Sequence, residues 1–194
     1  TEIYTLSLHD ALPISASPRK TANTQIIMKY VNEYTKSKNP DTKFINLSNG
    51  EIECYRGFDV EYNEATKNAA KDIMEADVWL IGSPIYNSLF SSALKNLFEY
   101  VDYKKTEGKV AGMAILAAGN IGFVDVQTVI TQLLSYFRVI TNPKAVYLTT
   151  EIFANNEVAK SLLDVHNVFL PVILLSITIS ILTITKAVVI SIIN

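Results

Sequence analysis

Histidine and cysteine are almost missing from this sequence. Of 194 residues, two are histidine (His9 and His166) and one is cysteine (Cys54). A single cysteine excludes an intramolecular disulfide framework, an iron–sulfur cluster and a cysteine-rich zinc site. It fits a reducing compartment, and a cytoplasmic location is expected. No histidine falls between residues 15 and 160. A Ser-His-Asp or Cys-His nucleophile system and a histidine-ligated metal are therefore excluded from that stretch. One-sided charge is missing too. Lys plus Arg is 17 against 19 for Asp plus Glu, a formal net charge of −2, which is not the footprint of a nucleic-acid binder. What is abundant is apolar side chain, 49% of the chain, enough to bury the core of one domain. Any chemistry of the central region must come from carboxylates, hydroxyls, amides or a bound cofactor.

The two ends differ from the middle. Residues 1–14 resemble the translation of a short-read sequencing adapter, whose end reads Leu8-His9-Asp10-Ala11-Leu12-Pro13-Ile14, and they are expected to be non-native. They carry no basic stretch followed by an unbroken apolar one, as a leader peptide would. At the other end, residues 156–194 form an apolar tail. Its last 34 residues hold two charged side chains, Asp164 and Lys186, and residues 168–185 are an uncharged run of 18. That run reaches the length of a membrane-spanning helix, yet Pro171 interrupts it and residues 176–180 alternate like a strand. The tail is read as a frame error or a membrane segment, and no function is assigned to it. A membrane partner follows only if the 168–185 run is genuine.

Residues 15–155 alternate strand and helix. Ile26, Ile27, Tyr30, Val31 and Tyr34 recur at helical spacing, with Asn23 or Thr24 as the expected N-cap. Residues 43–47 form a short strand, and residues 63–75 a helix. Val78-Trp79-Leu80-Ile81 is a continuous apolar run, as in a strand buried on both faces. Residues 91–103 read as helix, 110–118 as strand, 125–137 as helix, 145–148 as strand, and a helix begins at 156. This order predicts an α/β fold with a parallel sheet covered on both faces. One further strand is needed ahead of Ser15, where Pro13 is expected to remove a ladder hydrogen bond and Asp10 has no obvious buried partner. The chain is accordingly expected to be less stable than a version with an apolar, β-branched first strand.

Ligands of such sheets bind beyond the carboxyl ends of the strands. Three segments lie there: 15–24, 82–90 and 118–124. The first reads Ser15-Ala16-Ser17-Pro18-Arg19-Lys20-Thr21-Ala22-Asn23-Thr24. Hydroxyls, amides and a guanidinium converge at a helix N-terminus, which favours an anion. The segment has neither the Gly-x-Gly-x-x-Gly of dinucleotide folds nor the Gly-Lys-Ser/Thr of a P-loop. A compact terminal phosphate suits it better than a pyrophosphate.

Ser17-Pro18-Arg19-Lys20 with Asn23-Thr24 resembles the phosphate loop of the NADPH-dependent FMN reductase family. Gly82-Ser83-Pro84-Ile85-Tyr86-Asn87, followed by Ser92-Ala93-Leu94-Lys95-Asn96, resembles that family's second signature, and Ala118-Gly119-Asn120-Ile121-Gly122 its third flavin loop. The resemblance implies a flavodoxin-like three-layer sandwich with a five-stranded parallel sheet in the order 2-1-3-4-5, its first strand replaced or damaged here. It implies FMN held at the phosphate by Ser17, Arg19, Asn23 and Thr24. Pro84, Tyr86 and Asn87 would line the ribityl chain and one side of the ring, and Gly119 and Asn120 would approach its pyrimidine edge. The implied activity is that of an FMN-dependent NAD(P)H oxidoreductase, with NADPH or NADH as donor and a quinone, flavin or other small molecule as acceptor. The alternative is a flavodoxin-like electron carrier without nicotinamide turnover. No side chain is expected to be catalytic, because the cofactor carries the hard chemistry. A homodimer or homotetramer is implied. Elsewhere, Trp79 reads as core, Cys54 as a small packing residue, Lys104-Lys105 and Glu107 as a solvated turn, and Lys95-Asn96 as helix surface or subunit interface.

Overall fold

The computed structural model describes residues 11–154. His9, Asp10, His166 and the tail beyond residue 154 lie outside it, as do the expectations attached to them. The elements in chain order are β1 (Ala11–Ser15), α1 (Asn23–Lys38), β2 (Ile45–Asn46), α2 (Glu64–Glu75), β3 (Val78–Tyr86), β4 (Leu89–Phe90), α3 (Ser92–Glu99), β5 (Val110–Ala117), α4 (Phe123–Tyr136), β6 (Ile140–Thr141), β7 (Val146–Thr149) and α5 (Glu151–Ala154).

The sheet has seven strands. Five positions run parallel, β2-β1-β3-β5 and then a fifth shared by two short pieces. β6 pairs with the start of β5 and β7 with its end. Residues 142–145 separate the two pieces and include Pro143, which has no N–H to give a ladder. The seventh strand, β4, turns back antiparallel on the tip of β3. Asn87 and Ser88 make that reversal, both with positive φ (49° and 64°), as a two-residue hairpin turn requires. The architecture is the flavodoxin-like sandwich, with the fifth strand broken in two and a hairpin added.

The first strand is Ala11–Ser15, buried along its whole length. Pro13 does not break the ladder. The Ala16 N–H donates to Gly82 O on β3 at 2.8 Å. Successive N–H groups along a strand point to opposite sides, so Ile14 also faces β3 while Pro13 faces β2. Pairing with β2 begins only at Ile14, opposite Ile45. The missing N–H thus falls on a stretch with no strand beside it, and proline is accommodated where β1 is still an edge.

Two helical layers close the sheet. Ile27, Met28 and Val31 of α1 pack with Leu80, Leu116 and Leu148, joined by Ile152 and Phe153 of α5. On the other face, Ile73 of α2, Leu94, Leu97 and Phe98 of α3, and Val126, Ile130 and Leu134 of α4 cover Trp79, Ile81 and Met113. Trp79 is core, as expected, and its indole N–H donates to Ile73 O at 2.9 Å. The buried face of α1 is turned from the expected one. Thr24, Ile27, Met28, Val31 and Thr35 are buried, while Ile26 is 51% exposed. Met28 fixes that rotation by filling the space above Gly82.

A Cβ on Gly82 would lie 2.5 Å from Met28 Sδ, closer still to Met28 Cγ, and 3.3 Å from the Thr24 methyl. Met28 is fully buried, and its side chain would have to shift to admit that Cβ. The absence of a side chain at Gly82 therefore brings α1, and the turn leading into it, close over β3. Gly82→Ala is expected to cost about 1–3 kcal/mol of unfolding free energy through overpacking, read as a lower urea midpoint. In a Met28→Ala background the added methyl should cost much less. Equal costs in both backgrounds would show that this contact is not what requires glycine.

Candidate functional site

The carboxyl ends of β1, β3, β5 and β7 share one edge of the sheet. There the turn after β1 is held at three points. Ala16 N–H bonds Gly82 O, the Ser91 hydroxyl donates to Ala16 O, and the Ser17 Oγ lies 3.1 Å from the Tyr86 hydroxyl. Ser91 also caps α3 by accepting the Leu94 N–H at 3.1 Å. One buried hydroxyl thus ties the α3 terminus to the turn.

Between these anchors and α1 lies a cleft of about 440 Å³, within the ordinary size range of small-molecule sites. Ser17, Arg19, Asn23 and Thr24 line one end, with Thr21 and Ala22 between them. Pro84, Ile85 and Tyr86 form one wall, Leu116, Ala117 and Ala118 another, and Thr150 closes the far side. The lining has one guanidinium and no carboxylate. Ser17 and Thr24 are buried, Pro84 is buried, Tyr86 is half-buried and Arg19 is exposed.

The expected N-cap of α1 is corrected here. The cap is Ala22, which has no side-chain oxygen, and neither Asn23 nor Thr24 caps the helix. The first N–H groups of any helix have no partner within it, so those of Asn23 and Thr24 stay open to a ligand at this end of the cleft. The N-terminus of α4 is likewise without a side-chain cap; its Gly122 cap sits in the left-handed region at φ 86°. α2 and α3 are capped by Asn63 and Ser91. Of these four helix ends, that of α1 lines the cleft, and side chains leave it open.

Six of the nine residues singled out from the sequence meet in this cleft: Ser17, Arg19, Asn23, Thr24, Pro84 and Tyr86. Asn87, Gly119 and Asn120 do not line it. Asn87 is an exposed corner of the β3–β4 hairpin, and Gly119 and Asn120 are exposed beyond the end of β5. Thr150 has no sequence signal beyond its place after the last strand. It is set by its N–H donating to Ala117 O at 3.0 Å and its hydroxyl to Ala118 O at 3.3 Å. Among the described residues no cluster of His, Cys, Asp and Glu could hold a metal.

A second cleft, about 570 Å³, opens on the other side of the same turn. Pro18, Leu47, Ile52, Cys54 and Tyr55 face Ala93, Asn96 and Glu99 of α3 across it. Cys54 is exposed here and is not the packing residue expected. Asn96 is not plain helix surface either. Its amide accepts the Tyr55 N–H at 2.9 Å and donates to Glu53 O at 2.7 Å, pinning the 53–55 loop to α3. Tyr100 donates to the same Glu53 O at 2.7 Å and packs edge-on against Tyr55 and Tyr62.

This arrangement has the features of a flavodoxin-like ligand-binding domain, a doubly covered parallel sheet whose cleft lies at its strand ends. The NADPH-dependent FMN reductase family model matches residues 10–153. The chain belongs to that family. It is 27% identical over 114 residues to an NAD(P)H-dependent FAD/FMN reductase of Geobacillus thermodenitrificans, covering 58% of this chain and 62% of the relative. It is 26% identical over 101 residues to the FMN reductase (NADPH) of Escherichia coli, covering 51% of each chain. The chain spans 44–62% of the length of these and two further curated relatives. The fold is also that of an NADH:FMN oxidoreductase, EmoB, in its apo form, with a TM-score of 0.63, 16% identity, and 81% and 86% of the two chains covered. General stress protein 14 of Treponema denticola, solved in complex with FMN, aligns with a TM-score of 0.57 at 17% identity, over 80% of this chain and 95% of that one.

Burial, with the neighbouring Tyr62 and Glu53, pushes the Tyr100 phenol up to about 12. A raised folded-state value means that the neutral phenol contributes stability below pH ~10, its unfolded value, and that this is lost as pH climbs toward 12. The unfolding midpoint is therefore expected to fall between pH 10 and 12, and Tyr100→Phe should flatten that fall. An unchanged alkaline slope in the variant would assign the fall to other groups.

Proposed function

We propose that the chain is an FMN-dependent NAD(P)H oxidoreductase, and that the cleft beside the β1 turn is its cofactor site. The observation that carries this reading is the convergence of the β1, β3 and β5 ends on one cleft with an anion-binding end and an apolar body. The donor set fits a flavin mononucleotide. Arg19 supplies a planar, permanently charged fork for a terminal phosphate. The open N–H groups of Asn23 and Thr24, at the positive end of α1, belong to the same lining. Pro84, Ile85, Leu116 and Ala117 would supply apolar surface for the ring. No acidic side chain lines the cleft to oppose a phosphate.

The chemistry that FMN supplies is two-electron transfer, hydride in from a reduced nicotinamide and electrons out to a quinone, a flavin or another small acceptor. The chain's residues bind, orient and exclude water. No side-chain acid or base is required, in keeping with a lining that has no histidine or carboxylate. Asn87, Gly119 and Asn120, exposed on the turns after β3 and β5, do not line the cleft and are not needed for this reading.

The test is direct. The purified chain should take up FMN, and anaerobic NADPH or NADH should bleach the bound chromophore within a turnover. Uptake without bleaching would favour an electron carrier, and a colourless protein that ignores added FMN would overturn the cofactor site.

A homo-oligomer is part of the same proposal. Leu89 and Ile121, 52% and 87% exposed, lie on the β4 hairpin and the α4 entry beside the cleft, and Val124 is 65% exposed one turn further. β4 packs on α4, so these side chains share one region of the surface. Its apolar character suits a subunit contact. Sedimentation should return a dimer or tetramer; a monomer at assay concentration would remove this part of the reading.

A further inference from the structure

The Ser17–Tyr86 hydrogen bond joins two elements 69 residues apart at the anion-binding end of the cleft, and its proton count has a consequence. Ser17 Oγ is fully buried and already accepts the Arg19 N–H at 3.3 Å. A serine hydroxyl has one proton and two lone pairs, and a phenol one proton and acceptor capacity. If Tyr86 donates to Ser17, both Ser17 lone pairs are used and the Ser17 proton is unspent. If Ser17 donates to Tyr86, the Tyr86 proton is unspent. In either case the pair keeps one O–H donor, and both residues line the cleft.

Resting on the cofactor site proposed above, we infer that Tyr86 is a positioning residue for the phosphate end of the ligand, acting through Ser17. Its ring, half-buried in the wall, contributes apolar surface along the cleft. Its hydroxyl serves a different part of the ligand, by fixing which direction the pair's free donor points. The ligand class this selects is a flavin carrying a terminal phosphate monoester, in preference to the same ring system ending in an alcohol. The turn is suited to this because its other bonds do not involve the pair. Ala16 is held by Gly82 O and by the Ser91 hydroxyl, so removing the Tyr86 hydroxyl breaks the bond that orients the Ser17 hydroxyl without freeing the loop.

The experiment is equilibrium binding of FMN and of riboflavin to the full chain, followed by quenching of flavin fluorescence. The two probes share a ring and differ at the phosphate. Tyr86→Phe keeps the aromatic wall and deletes the hydroxyl. It should weaken FMN about tenfold, the scale of one hydrogen bond to a charged group, and leave riboflavin unchanged. Ser17→Ala breaks the same bond from the other side and should do the same, which keeps the test available should Tyr86→Phe fold poorly. Each single variant keeps one O–H that has lost its partner and the double variant keeps none, so the double variant should lose at least as much FMN affinity as either single one. Equal weakening of FMN and riboflavin in Tyr86→Phe would reduce Tyr86 to a wall residue and overturn the inference. So would unchanged FMN binding in both single variants, or a double variant that binds FMN better than either single one. A wild-type chain that binds neither flavin would instead remove the cofactor site itself, and this inference with it.

Discussion

The site depends on how closely the turn after β1 is held to β3. Gly82 stands at the centre of that contact. Its carbonyl accepts the Ala16 N–H, and its missing side chain leaves the space that Met28 of α1 fills. Strand, turn and helix are drawn together at one residue. From there the Ser91 hydroxyl and the Ser17–Tyr86 pair fix the orientation of the turn. Backbone amides can form an anion site only where they are held in place before the ligand arrives. Here two of the three holding bonds run to β3, a central strand of the sheet, and the third to the cap of α3.

The same turn separates two clefts of opposite character. On the α1 side Ser17 and the open helix end face a cavity with one cation and no carboxylate. On the α3 side Pro18 faces a larger cavity with Lys95 and Glu99, which pair with each other across one helical turn. Size alone would choose the second cleft. Chemistry chooses the first, because a paired lysine and glutamate at an exposed rim leave little net field for an anionic ligand.

Strong periodicity and continuous apolar runs make the order of elements legible in the amino-acid sequence. Val78 to Ile81 reads as a strand buried on both faces and Trp79 as core, and the structure has both so. Three motifs at strand ends point to one site, and six of their nine candidate residues share a cleft. What local sequence does not carry is tertiary geometry. Asn23 and Thr24 are residue types that cap helices, yet the turn ends at Ala22 and leaves the helix end open. Asn87 has the chemistry of a ligand contact, but its place in a two-residue hairpin directs it to solvent. Pro13 reads as harmful because the start of the β1–β2 pairing is not written in local sequence. Asn96 falls within the second motif, but nothing in that motif marks its bonds to the 53–55 loop, and Thr150 carries no motif at all.

The central claim is that a flavin mononucleotide enters the cleft on the α1 side of the β1 turn. Backbone amide chemical shifts followed during FMN titration test it most directly. The account predicts that the perturbed amides fall at residues 17, 19–24, 85–86, 116–118 and 150. Perturbation confined to residues 47–55 and 92–99, around the larger cleft, would contradict it.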